Sequence, residues 1–309
     1  MNMNTAQARV IDPILTTAAR GYQNAEYVGS ALFPFVAVQQ RGGKILTFGK
    51  EAFRQYATGR APGTNTKRIQ IGYAGSNYTL ESHSLEAAVP IELQQEAGAV
   101  PQVDLAAGSV NVVQDIMAAR LERAQANLAT DDNNYNGSSL GLGGTSQWSH
   151  ANSDPINQVE IAKEVVRQQI GRRPNTLLLS AKVFAALRTN ASVLERIKYT
   201  GLDVPTTDLL ASLFGVARVV VGDAVQEDNA GVMTDIWGNN AVLAYTEIGG
   251  IASMGRPTFG YTYRLGGYPI VEPAYYDNNS KTWYYPVTDE VAPVIAGAEA
   301  GFLFTNVTL

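Results

Sequence analysis

The sequence predicts an α+β protein, and three stretches carry that reading. From Asp154 to Gly222, helical periodicity alternates with short, wholly apolar runs, each junction marked by a start or stop residue. After Pro101, apolar residues recur every three or four positions as far as Thr130, which gives roughly 40 Å of helix at 1.5 Å per residue. From Ala241 to Val307, short alternating stretches are separated by turn residues, the pattern of a sheet.

Taken in order, residues 1 to 35 begin with a polar tail, then Ile11-Asp12-Pro13-Ile14-Leu15 and a short helix ending near Gly21. Val28 to Val36 is apolar but broken by Gly29 and Pro34, so it reads as an arm that needs a surface to lie on, one that another subunit could supply. Between Gln39 and Arg68 the composition changes. Arg41, Lys44, Lys50, Arg54, Arg60, Lys67 and Arg68 face one acid, Glu51, and Gly42-Gly43, Gly49, Gly59 and Pro62-Gly63 supply turns. Lys44 to Phe48 and Lys67 to Tyr73 alternate as two sides of a protruding basic hairpin. A solvated hairpin without a partner and a nucleic-acid arm are the other readings of this loop, the second short of interleaved aromatics.

Tyr78 to Leu93 alternates as a strand with His83 at its surface or edge. The long helix follows, its stripe running through Val103, Ala106, Val110, Val113, Met117, Leu121, Ala124 and Leu128. Asp131 to Trp148 is rich in Asn, Gly and Ser. Asp132, Asn134, Asn136 and Gly137 match the first half of a calcium loop, but Gly143 stands where the bidentate Glu belongs, and Gly141 to Gly144 reads as a flexible linker.

In the α/β stretch, Asp154-Pro155 opens a helix that Gly171 stops, and Thr176 to Leu179 is apolar on both faces, hence a central strand. Ser180 caps the next helix, Ser192 with Glu195 forms a capping box, and Asp208 to Phe214 ends at Gly215 before the strand Val216 to Val221. Strands are then expected at Ala241 to Ile248, Thr258 to Leu265 and Phe302 to Val307. Ile270 to Tyr276 and Thr282 to Val287 form a hairpin about Asp277-Asn278-Asn279-Ser280. Beyond Pro269 the acids Glu272, Asp277, Asp289, Glu290 and Glu299 face Lys281 alone. They are the acidic partner candidates for the basic loop.

Composition narrows the function. The 309 residues carry a net charge of −5, which argues against general nucleic-acid binding, and no apolar run approaches the roughly 18 residues that span a bilayer. With no cysteine and only His83 and His150, thiolate chemistry, sulfur metal sites and most histidine sites are closed. No glycine-rich turn joins a strand to a helix as a phosphate cradle requires. No catalytic, cofactor-binding or metal residue is therefore assigned, and synthesis in the cytoplasm is expected, since Met1 to Arg20 lacks a signal-peptide pattern. A soluble hydrolase would need paired carboxylates, for which only the scattered Asp223, Glu227 and Asp235 are on offer.

The order of elements resembles the major capsid proteins of tailed bacteriophages, with the Hong Kong 97-type fold, over essentially the whole chain. Leu32 to Val38 followed by Arg41-Gly42-Gly43-Lys44 through Glu51 looks like the entry to the extended loop of such proteins. Arg173 to Ser180, Leu213-Phe214-Gly215-Val216 and Val219 to Gly222 are similar to their axial domain. The resemblance implies an N-terminal arm (1–35), an extended β-hairpin loop (36–80), a peripheral domain with spine helix and β-sheet (81–135 and 241–309) and an α/β axial domain (136–240). It implies a structural protein that assembles through pentamers and hexamers into an icosahedral phage head around double-stranded DNA, without sequence-specific contact. The seven loop cations, Arg41, Lys44, Lys50, Arg54, Arg60, Lys67 and Arg68, would then lie at an inter-subunit interface. Partners would be copies of itself, with portal and decoration proteins and either a separate scaffolding protein or none; the protein would reside in the virion. Some relatives weld a loop lysine to a neighbour's asparagine, which would fall to Lys44 or Lys50. An encapsulin-like nanocompartment shell shares the fold and stays open at this stage.

Overall fold

The computed structural model describes residues 27–44, 59, 77–99, 105–198, 205–228, 230–247 and 257–309. Two sheets organise them. The larger is built on β14 (Thr282–Ile295), which pairs on one side with β4 (Glu81–Pro90), antiparallel from Thr282↔Pro90 to Val291↔Glu81. Along its other side lie β13 (Tyr275–Asp277), β12 (Ile270–Val271) and β11 (Gly260–Leu265), and β1 (Phe35–Val38) extends the sheet parallel to β11. Side chains alternate along β14. Trp283, Tyr285 and Val287 pack with Val110 and Val113 of the long helix α2 (Leu105–Thr130), so Tyr284, Pro286, Thr288 and Glu290 point to the opposite, outer face.

The second sheet runs β5 (Ser139–Gly141), β15 (Gly301–Thr305), β10 (Ala241–Ala244), β6 (Thr176–Ser180) and β7 (Arg218–Gly222). Every residue of β6 is buried, as its unbroken apolar run predicts. The helices around it begin and end on their own signals. In α3 (Pro155–Ile170), Asp154 accepts from the Asn157 amide at 3.1 Å and Gly171 closes the end with a φ of 69°. Ser180 accepts from the Val183 amide to start α4 (Ala181–Thr189), and Thr206 does the same for α6 (Thr207–Phe214). Lys163 of α3 is buried, and its Nζ donates to the Phe214 carbonyl at 2.6 Å and to Glu160 at 2.6 Å, placing a cation on the C-terminus of α6.

Several expectations are corrected. The apolar stretch after Val28 lies on the chain's own body: Leu32 and Phe33 are fully buried in its main core, with one helical turn at Gly29–Ala31. The return at residue 241 is not a clean return to the larger sheet, because β10 and β15 hydrogen-bond into the α/β sheet beside β6. Helix α5 (Ala191–Ile197) is capped by Asn190, whose Oδ1 accepts from the amides of Ser192 and Val193; Ser192 lies inside the first turn. Of the expected linker Gly141 to Gly144, Gly141 closes a strand (139–141) parallel to β15 and Leu142 is buried with its amide donating to the Thr305 carbonyl, so its first half is held to the sheet. The strand from Tyr78 ends at Pro90, and Ile91 begins α1 (Ile91–Ala99). On α2 the buried stripe includes Gln114, Glu122 and Gln125, while Ala124 and Leu128 are half-buried; Val103 lies outside the described residues.

The arm root and the larger sheet meet at Gly260, where a Cβ would stand 2.4 Å from the Phe33 ring and 2.9 Å from the Val294 carbonyl. Gly260→Ala is expected to lower stability by about 1–3 kcal/mol through overpacking. A urea midpoint unchanged from the parent, at equal slope, would contradict this packing.

Candidate inter-subunit surfaces

The root of the extended loop is a two-stranded ladder, β2 (Gly42–Lys44) against β3 (Asn77–Thr79), with Gly42↔Thr79 and Lys44↔Asn77 in register. It lies on the outer face of the larger sheet. Tyr78 stacks on Tyr263 at 4.4 Å between rings, within a cluster that includes Val36, Val38 and Leu80. Gly43 is required here, because a Cβ would come within 2.7 Å of the Tyr78 ring. Burial pushes the Tyr263 phenol up to about 12, so it stays neutral under any ordinary condition.

Of the seven loop cations, Arg41 and Lys44 are described, and Lys50, Arg54, Arg60, Lys67 and Arg68 lie outside the described residues. Arg41 is already engaged within its own chain. Its Nε and Nη2 donate to the two carboxylate oxygens of Glu290 at 2.7 and 2.6 Å, and the Leu80 amide donates to the Arg41 carbonyl at 2.7 Å. The pair expected between subunits is thus closed within one subunit, because β14 carries Glu290 to the outer face directly beside the loop root. The guanidinium holds the Glu290 carboxyl below the usual range.

Asp289, one residue away, faces the spine helix instead. Arg264 donates to it at 2.9 Å while lying 4.3 Å over the Phe35 ring, and burial holds the Asp289 carboxyl above its usual range. His83, its cross-strand partner, sits on β4, which among the described residues pairs only with β14 and so forms an edge of the sheet. Burial, then the charge of Arg120, lowers the His83 pKa. Glu81 stands 3.5 Å from His83 and 3.6 Å from Arg120.

The remaining acids divide by role. Asp277 accepts from the Asn279 and Ser280 amides and so fixes the hairpin turn, as the sequence implies. Glu272 accepts from Thr288, and Glu299 is half-buried on a short helical turn, Ala298–Ala300. Register places Asp277, Tyr275 and Glu272 on the outer face together with Glu86. Tyr275 donates to Glu86 at 2.9 Å and stacks on Tyr284 at 5.2 Å. Sequence reasoning missed Glu86 and the tyrosine pair; alternation along β4, with Glu86 on the face opposite Val89, was the available signal.

No group of three metal-capable side chains occurs among the described residues, and Asp131 and Asn134 are used in capping the end of α2 and the turn after it. Asp235 pairs with Lys182 at 3.2 Å, and Glu227 stands opposite Met233 across the hairpin of β8 (Val225–Glu227) and β9 (Met233–Asp235). The hydrolase reading gains no carboxylate pair from them. No helix among the described residues is long and apolar enough to cross a membrane.

The chain is similar to known phage proteins. Residues 109–285 match the family model described as phage major capsid protein E. A major capsid protein of Burkholderia phage BcepMu is 37% identical over 98% of both chains. The crystal structure of a phage-related protein from Bordetella bronchiseptica RB50 superposes with a TM-score of 0.83 at 45% identity, covering 98% of this chain and 99% of that one. The mature capsid of bacteriophage PhiM1 shares the fold at a TM-score of 0.54 and 15% identity, over 93% and 90% of the two chains.

Glu290 gives a pH test. A depressed carboxyl contributes stability that is present above the unfolded glutamate value, about 4.3, and is lost as pH falls through the lower folded value. Protection of the Leu80 amide, its exchange measured against an unprotected amide at the same pH, should therefore fall below about pH 4 in the parent. In Glu290→Gln it should be lower at neutral pH and lack that acid step; equal protection in both proteins at neutral pH would remove the pair from the loop root.

Proposed function

This chain belongs to the phage major capsid proteins, and we propose that its extended loop, about Gln39 to Arg68, lies across a neighbouring copy and meets the acidic outer face of that copy's larger sheet. Its role is structural, in shells of the Hong Kong 97-type fold. Full-length identity with a phage major capsid protein favours the phage head over a cellular nanocompartment. Pentamers and hexamers closing an icosahedral head around double-stranded DNA, with arm, loop, peripheral and axial regions in those roles, complete the reading. The subunit is made in the host cytoplasm, with separate portal, decoration or scaffolding proteins as further partners.

One observation carries the proposal: a loop with seven cations and one acid belongs to a chain whose outer sheet face gathers Glu86, Glu272 and Asp277 around a stacked tyrosine pair. Arg41 and Glu290 neutralise each other at the root, so the cations left to reach a neighbour are Lys44, Lys50, Arg54, Arg60, Lys67 and Arg68. Each exposed ion pair is worth about 0–1 kcal/mol, and only several together, within a Debye length of roughly 8–10 Å, bias assembly. Arginines also stack on tyrosine faces. The double change Arg54→Glu with Arg60→Glu should leave a soluble, folded subunit and reduce shell formation, most strongly at low salt. Normal assembly at both low and high salt would make the loop a solvated hairpin.

Welding of the lattice is not part of this reading. Deprotonating a lysine for amide formation needs a dry site beside a carboxylate. Of the two candidate lysines, Lys44 is exposed opposite Asn77 and has no such site within its own subunit among the described residues, and Lys50 lies outside them. Boiled particles should run as one band near 33.1 kDa, and a ladder of multimers would contradict this.

A further inference from the structure

Four charged side chains are buried among the described residues, and three face a counter-ion: Lys163 has Glu160, Asp289 has Arg264, and Glu290 has Arg41. Glu122, midway along α2, has no cation against it among the described residues. Three N–H groups surround it instead. The Val28 and Gly29 amides donate to Oε1 at 3.0 and 3.1 Å, Gly29 also reaches Oε2 at 2.8 Å, and the Trp237 indole donates to Oε1 at 2.7 Å. Burial raises the carboxyl and these bonds pull it back in part. An isolated buried carboxylate is an expensive way to fill space, and an apolar residue packs as well or better. What the carboxylate adds is two oxygens that accept at once from parts of the chain more than two hundred residues apart.

We propose that Glu122 is a clasp coupling the root of the N-terminal arm to the Trp237 segment between β9 and β10, so that the two open and close as one unit. Both sides are fitted without slack. A Cβ on Gly29 would stand 2.1 Å from Gln125 Oε1, and one on Gly222 would stand 2.2 Å from the Trp237 ring. Gln125 continues the link, donating to Thr262, whose hydroxyl donates to the Phe33 carbonyl of the arm root. The clasp is a property of the single subunit and does not depend on shell formation.

Hydrogen exchange on the unassembled full chain tests it. Trp237→Phe removes the indole N–H and keeps most of the packing; exchange over residues 27–33 should rise about three- to tenfold, the effect of one lost hydrogen bond transmitted through Glu122. In a Glu122→Met background, which removes the shared acceptor, the same change should add little, the non-additivity expected of one shared node. Equal increments in both backgrounds, or no increment in the parent, would overturn the coupling. Should Trp237→Phe fail to fold, Gly29→Ala probes from the arm side: the Trp237 indole N–H should exchange faster, and an unchanged rate would overturn the coupling equally.

Discussion

The constraint on which the rest depends is the register of β14. Four strands pair with it directly, and because side chains alternate with a period of two, a slip of one residue would turn Tyr285 and Val287 outward and bring Glu290 under α2. With the register as it is, consecutive acids go to opposite faces. Asp289 meets Arg264 beside the spine helix, and Glu290 meets Arg41 at the loop root. The position of the loop root, the acidic outer face and the seat of the long helix all follow from that one alignment.

Much of this was legible in the sequence because it is local. Caps and stops such as Asp154, Ser180, Gly171 and Gly215 act within a few residues of themselves, and β6 announces itself by being apolar on both faces. The turn at Asp277 and the periodicity of α2 belong to the same kind. What escaped was long-range. That β10 and β15 join the sheet of β6 is decided by hydrogen bonds such as those of Ala241 with Leu179 and Phe304, which lie far apart in the chain, and the burial of Phe33 depends on Gly260 leaving room for its ring.

The charge distribution was half legible. Charge counting found the basic loop and the acidic tail, since both are compositional. It could not separate Glu290, consumed inside the subunit, from Glu272 and Asp277, which share the outer face with Glu86. That distinction needs the pleat, and so does recognising Tyr275 and Tyr284 as a stacked pair. Glu122, read from sequence, is one acid beside an apolar stripe; only the arm root and Trp237 reveal its use.

The continuity of β3 into β4 has a mechanical consequence. A pull on the returning side of the loop is delivered along the axis of β4, parallel to the ladder that joins it to β14 from Glu81 to Pro90. The hydrogen bonds of an antiparallel ladder lie across the strands. Such a load therefore acts in shear, and many bonds must fail together, where a pull across the sheet would unzip them singly. Any tension applied to the loop is in this way borne by the strongest direction the sheet has.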